Sequence, residues 1–65
     1  MCVTINGQVR EVQAETIDRL LQEVGLLSTQ VAIEHNGTVL FRHEFPKTSL
    51  KSGDKIEIIR VVAGG

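Results

Sequence analysis

Two Asn-Gly dipeptides, Asn6-Gly7 and Asn36-Gly37, constrain this chain more than any other feature. A two-residue hairpin loop of type I′ needs positive φ at both central positions, and Asn-Gly meets that need at little steric cost. Both dipeptides follow alternating stretches. Met1, Val3 and Ile5 alternate with Cys2 and Thr4, and Val31 and Ile33 alternate with Ala32 and Glu34. That is the period of a half-buried strand. The first return strand runs from Gln8 to about Val12, and the second begins at Val39-Leu40. Val9 and Val12 are three apart, so the first return strand is expected to carry a bulge.

Between the hairpins the period changes. Ile17, Leu20, Leu21 and Val24 stand at i, i+3, i+4 and i+7, one face of a helix of about nine residues. Thr16 is placed to cap its first turn, Asp18 suits the positive end, and Gly25 supplies the left-handed residue past the last turn. So short a helix is unstable alone in water and must dock on the sheet. The stretch RHEFPKTSLKSGD has no steady period and holds the only proline, Pro46. It is expected to be a loop with one helical turn, closing in a turn at Ser52-Gly53-Asp54. KIEIIRVV then has the highest strand propensity in the chain. The order is β-β-α-β-β-β. A helix laid across one face of a mixed four- to five-stranded sheet, with the last strand central beside the first, is an α+β fold of the ubiquitin-like β-grasp type. Residues 1–62 are assigned to that domain and 63–65 to a flexible C-terminal tail.

Sixty-five residues bury only about 60% of their unfolded surface. With Cys2 the only cysteine, no internal disulfide adds stability, and Cys2, His35 and His43 are too scattered for a zinc site. The apolar core, drawn from a 42% apolar composition, must be efficient.

Several functions are disfavoured by the same reading. Seven basic and eight acidic residues, mixed along the chain, give no basic patch for nucleic acid. No apolar run approaches the roughly 20 residues of a membrane span. A lone cysteine and no basic-then-apolar leader predict a cytoplasmic protein. No nucleophile-and-base set can be assembled from two histidines and one cysteine, and Gly7, Gly37 and Gly53 fit turns rather than a phosphate loop. Glu11, Glu15 and Asp18 suit a solvated face. Cys2 has no nearby cation to depress its pKa and reads as an incidental strand residue. His35 and His43 are expected to face solvent.

The last strand and the tail carry more information. Ile56, Ile58, Arg60 and Val62 share one face, and Glu57, Ile59 and Val61 the other. Apolar residues on both faces leave two readings open: a central strand covered by its neighbours, or an exposed partner patch anchored by Ile59 and Val61. Beyond Val62, Ala63-Gly64-Gly65 extends by about 10 Å and has almost no side-chain bulk. Such an arm fits a channel only as wide as a backbone. Its one reactive group is the Gly65 carboxylate, a poor acyl donor that must be activated, for instance as an anhydride with AMP. Nothing in this chain performs that step, so a partner must.

The order INGQ, TIDRLLQEVGL, VAIEHNGTVL, FRHEF, LKSGDKIEI and VVAGG resembles the ThiS family, the sulfur carriers of thiamine biosynthesis, over essentially the whole chain. The resemblance implies a carrier that is not itself an enzyme and binds no cofactor or metal. Its Gly65 carboxylate would be adenylated with ATP by a ThiF-like E1 enzyme. It would then become a thiocarboxylate, with sulfur from a cysteine desulfurase relay, and deliver that sulfur to the thiazole synthase ThiG. Gly65 is then the reacting residue, and Ala63 and Gly64 its unhindered lead. Arg42 and Phe45 match an Arg-x-x-aromatic segment near the partner-facing edge. They join Ile59, Val61 and Val62 as expected partner contacts. Here Phe45 and Pro46 stand where that segment has Trp and a helix-compatible residue. Two other uses fit the same fold and tail: a carrier for another acceptor, such as the molybdopterin synthase small subunit, and a ubiquitin-like protein modifier. A plain interaction domain with an incidental tail is the remaining alternative.

Overall fold

A computed structural model describes residues 1–61. Its strands are β1 (Cys2–Ile5), β2 (Gln8–Glu11), β3 (Val31–His35), β4 (Thr38–Leu40) and β5 (Lys55–Arg60). The helix α1 (Ile17–Glu23) follows β2, and two 3₁₀ turns cover Ser28–Gln30 and Arg42–Lys47. The sheet order is β2-β1-β5-β3-β4. β1 and β5 are parallel, and every other pair is antiparallel. This is the expected β-grasp, with all five strands in one sheet and β5 central beside β1.

Both hairpins turn as the dipeptides require. Asn6 and Gly7 have φ of 49° and 82°, and Asn36 and Gly37 have 50° and 85°. The first return strand holds no bulge within its ladder. Cys2 to Ile5 pair in unbroken register with Glu11 to Gln8. Val9 lies opposite Thr4, on the face away from the core, whereas Val12 shares the side of Gln8 and Arg10 and is buried. The three-residue spacing of the valines thus reflects two faces rather than an extra residue.

α1 spans seven residues, shorter than its apolar period, and buries Ile17, Leu20 and Leu21 against the sheet. Its end is a Schellman motif: Leu26 N–H donates to the Leu21 carbonyl at 2.8 Å and Gly25 N–H to the Gln22 carbonyl at 3.2 Å. Gly25 takes the left-handed φ of 79° that this closure demands. Its start differs from expectation. Thr16 occupies the cap position with extended backbone, but its hydroxyl donates to the Asp18 carboxylate rather than accepting from the first turn. The Thr48 carbonyl accepts the Ile17 N–H at 3.1 Å instead, so a strap from the later loop does the capping.

Asn6 does more than turn the chain. β1 ends at Ile5, yet the Asn6 side chain continues its ladder. Its Oδ1 accepts the Ile58 N–H at 2.7 Å, and its Nδ2 donates to the Ile58 carbonyl at 3.1 Å. One amide thus holds the far half of β5 where β1 no longer reaches it. The Val61 N–H donates to the Gln30 carbonyl at 2.8 Å, fixing the chain one residue past the strand.

The core gathers Val3, Val12, Ile17, Leu20, Leu21, Ile33, Phe45 and Ile56 between sheet and helix. Phe45 corrects an expectation. It was assigned to the partner-facing edge, but it is only 2% exposed and is among the largest fully buried side chains. The turn Arg42–Lys47 carries it inward: the Glu44 carboxylate accepts the Phe41 N–H at 2.7 Å, and the Thr48 hydroxyl donates to the Glu44 carbonyl at 2.8 Å. Pro46 sits within this turn, where the lack of an N–H costs little because few internal bonds are made.

Candidate functional site

The sheet face opposite the helix is open, and strand alternation decides what it shows. On β5, Ile56 and Ile58 point into the core, so Glu57 and Ile59 point outward, followed by Val61. Ile59 is 54% exposed and Val61 55% exposed. Neighbouring strands therefore leave both residues exposed rather than covered. Register extends it sideways. Ala32 pairs with Ile59, and Glu34 with both Val39 and Glu57. Leu40 pairs with the buried Ile33, and Phe41 follows it with extended backbone just past the end of β4. Phe41 is 68% exposed, and its ring stacks on His43 with centroids 6.0 Å apart. Ala32 and Ile59 therefore pair across β3 and β5 on this face, with the exposed Val61, Val39 and Phe41 following along β5 and β4.

The expected contact residues are thus only partly brought together. Ile59 and Val61 share the open face. Arg42 lines a hollow with Asp18, Leu26, Leu27, Phe45 and Pro46 near the end of α1. Phe45 lies in the core. Val62, Ala63, Gly64 and Gly65 lie outside the described residues. Phe41 is absent from the contacts read off the sequence, because R-H-E-F-P reads as a loop. The alternation Val39-Leu40-Phe41 contains the signal, since an inward Leu40 forces both neighbours outward.

Behind the turn before β5 lies a polar cluster that the sequence did not reveal. Asp54 is buried at 8% exposure. Its carboxylate accepts from His35 Nε2 at 2.8 Å, Asn36 Nδ2 at 3.1 Å and the Lys51 N–H at 2.8 Å. A carboxylate only accepts, so Nε2 carries the proton. His35, expected in solvent, is partly buried by this contact. The cluster ties the Asn36-Gly37 turn to the approach of β5. Burial raises the Asp54 pKa. The hydrogen bonds from His35, Lys51 and Asn36, with the His35 charge, outweigh that and hold it below the usual aspartate value. A depressed folded-state pKa gives stability that is present above the unfolded value, about 3.9, and is lost as pH falls through the folded one. Urea midpoints measured from pH 7 down to pH 3 should therefore drop most steeply below about pH 4. Asp54→Asn should start lower and lose much of that slope. An equal slope in the variant would exclude Asp54 as its source.

At the other end of the sheet, Cys2 Sγ donates to Glu11 Oε2 at 3.0 Å, and the N-terminal ammonium lies 3.4 Å from Glu11 Oε1. The Glu11 hydrogen bond and charge, with slight desolvation, raise the Cys2 pKa against the opposing ammonium. That favours the thiol, not the nucleophilic thiolate. Among the described residues no His, Cys, Asp and Glu side chains group as metal ligands, and no helix is long and apolar enough to cross a membrane.

Comparison with known proteins joins the fold to the glycine end. The sequence model of the ThiS family matches residues 3–65, from β1 through the terminal diglycine. The chain belongs to the ThiS family. The crystal structure of a thiamine biosynthesis protein (ThiS) from Geobacter metallireducens superposes with a TM-score of 0.84 at 35% identity, covering all of both chains. The sulfur carrier protein ThiS of Thermus thermophilus is 30% identical over 63 residues, 97% of this chain and 98% of that one. A thiazole synthase from Paramagnetospirillum magneticum is 35% identical over 66 positions, covering all of this chain but only 20% of the synthase. The chain therefore spans about a fifth of that relative's length and nearly all of the Thermus ThiS.

Proposed function

We propose that this chain carries sulfur for thiazole formation in thiamine biosynthesis. The observation that carries this is the ThiS family match through Gly65, together with near end-to-end similarity to a sulfur carrier. In this reading a ThiF-like E1 enzyme adenylates the Gly65 carboxylate with ATP, releasing pyrophosphate. A persulfide from a desulfurase relay attacks the acyl adenylate and displaces AMP, and a thiol then cleaves the resulting acyl disulfide, leaving the thiocarboxylate and a disulfide between the two thiols. A ThiG-like thiazole synthase takes that sulfur and returns the carboxylate. The synthase relative supports the last partner, since one-fifth of its length resembles this chain. The chain is a co-substrate throughout, and the reacting groups other than the Gly65 carbonyl come from its partners.

The open face supplies the docking surface for those partners. Its Ala32–Ile59 pair and exposed Phe41 are apolar, and Ile59 and Val61 directly precede the C-terminal residues. A partner that covers them fixes the direction in which the tail leaves. Ile59→Asp buries a charge in such an interface. It should weaken binding to either enzyme by about tenfold or more, while an exposed position limits the loss of stability to about 1 kcal/mol. Unchanged affinity in a folded variant would remove Ile59 from the interface.

Function itself is tested by complementation. A strain lacking its own sulfur carrier, given this chain and its cognate enzymes, should grow without added thiazole. Continued dependence on thiazole, with the chain present and folded, would count against the assignment.

A further inference from the structure

The end of β5 has two chemically opposite sides. Ile59 and Val61 face outward. Arg60 falls on the helix side with Ile56 and Ile58. Arg10 of β2 lies on that same side, because it pairs with the buried Val3. The two arginines line one hollow, completed by Ile5, Asn6, Val24, Leu26 and Ile58. No carboxylate lines it, and neither guanidinium reaches an ion-pair partner among the described residues. The Asn6 amide is already engaged with the Ile58 main chain. What the hollow offers a ligand is therefore two cations beside an apolar floor.

Arginine stems often lie over the edge of a core with the head in water. Here two such arginines line one hollow that no carboxylate lines, so an anion entering it meets cations with no counter-charge to displace. We propose that this hollow receives an acidic segment of the activating enzyme. An apolar side chain of that segment sits on Ile5, Val24, Leu26 and Ile58, and carboxylates pair with Arg10 and Arg60. A protein carboxylate fits better than a nucleotide phosphate. The lining has no glycine or lysine, and the N–H groups of Asn6, Val24, Leu26 and Ile58 are already donated to Ile56, Leu20 and Leu21 carbonyls and to the Asn6 amide oxygen, so no run of free N–H groups is there to cradle a phosphate. Location supports the same occupant. Arg60 directly precedes Val61, so an enzyme that draws in the tail can grip β5 from the apolar side and the cationic side at once. This inference rests on the proposed role and adds a second, charge-reading contact to it.

The test is the affinity of the full chain for the E1-like enzyme of the same organism, by calorimetry at two salt concentrations. The Arg10→Glu/Arg60→Glu pair should bind roughly tenfold more weakly at about 0.05 M salt, with most of the difference gone at about 0.5 M. Arg10→Gln/Arg60→Gln should shift the same way by less, and Arg10→Lys/Arg60→Lys should bind close to wild type. Both positions are exposed, and thermal unfolding confirms that each pair folds; should the reversed pair not fold, the glutamine pair decides. Wild-type affinity and salt dependence in the altered pairs would overturn the site while leaving sulfur carriage intact. Perturbation of Arg10 and Arg60 resonances by ATP alone would assign the hollow to phosphate and overturn the protein occupant. Absence of both binding and modification of the wild-type chain would overturn this site and the proposed function together.

Discussion

Phe45→Ala is expected to leave most molecules unfolded at room temperature. Removing a buried phenylalanine side chain costs about 3–5 kcal/mol, because transfer energy is lost and the cavity is not refilled. A single core in a chain this small rarely supplies more than about 3–5 kcal/mol in all. Phe45 packs where the turn Arg42–Lys47 meets the helix, and no disulfide replaces the missing contact. Circular dichroism with urea titration should show loss of the cooperative transition, and Phe45→Leu should recover most of it. A variant with a wild-type urea midpoint that failed only in partner binding would return Phe45 to the interface.

The second large effect leaves the fold alone. Deleting Gly65 should abolish sulfur loading without moving the urea midpoint. The new terminal carboxylate, on Gly64, retreats by about 3.3–3.6 Å. Reacting atoms must approach within about 3–3.5 Å in line, so a shift of one residue places the carboxylate out of reach of the activated phosphate. Loading by the E1-like enzyme should fall by at least about 100-fold. Gly64→Val tests width instead of length: under the proposed role the tail enters an active site as narrow as a backbone, so the branched side chain should also block loading. Normal loading of either variant would separate the diglycine from the chemistry.

The sequence made the architecture legible because its strongest local signals agreed with one another. Asn6-Gly7 and Asn36-Gly37 specified both hairpins, and the period of Ile17, Leu20, Leu21 and Val24 specified the helix. Where local pattern was ambiguous, tertiary structure decided. Thr16 reads as a cap, yet the Thr48 carbonyl, from a loop far along the chain, accepts the Ile17 N–H in its place. Val9 and Val12 suggested a bulge until pairing placed them on opposite faces. Phe45 sat beside charged residues and a proline, and only the 3₁₀ turn shows why it points inward. The Asp54 cluster depends on a contact to His35 across 19 positions, which no local window contains. At the site, the alternation of β5 named Ile59 and Val61 but could not say whether neighbours cover them. Their exposure, and the pairing of Ile59 with Ala32, are properties of the assembled sheet.

Intact-mass analysis before and after incubation with ATP, the E1-like enzyme, a desulfurase with cysteine and a reducing thiol tests the central claim most directly. It reports the true C-terminus and any sulfur on it in one reading. Exchange of one carboxylate oxygen for sulfur should add about 16 Da to the full chain, map to Gly65, and reverse when thiazole synthase and its other substrates are supplied. A chain that keeps its unmodified mass under conditions in which the same enzymes load a known sulfur carrier would contradict the account.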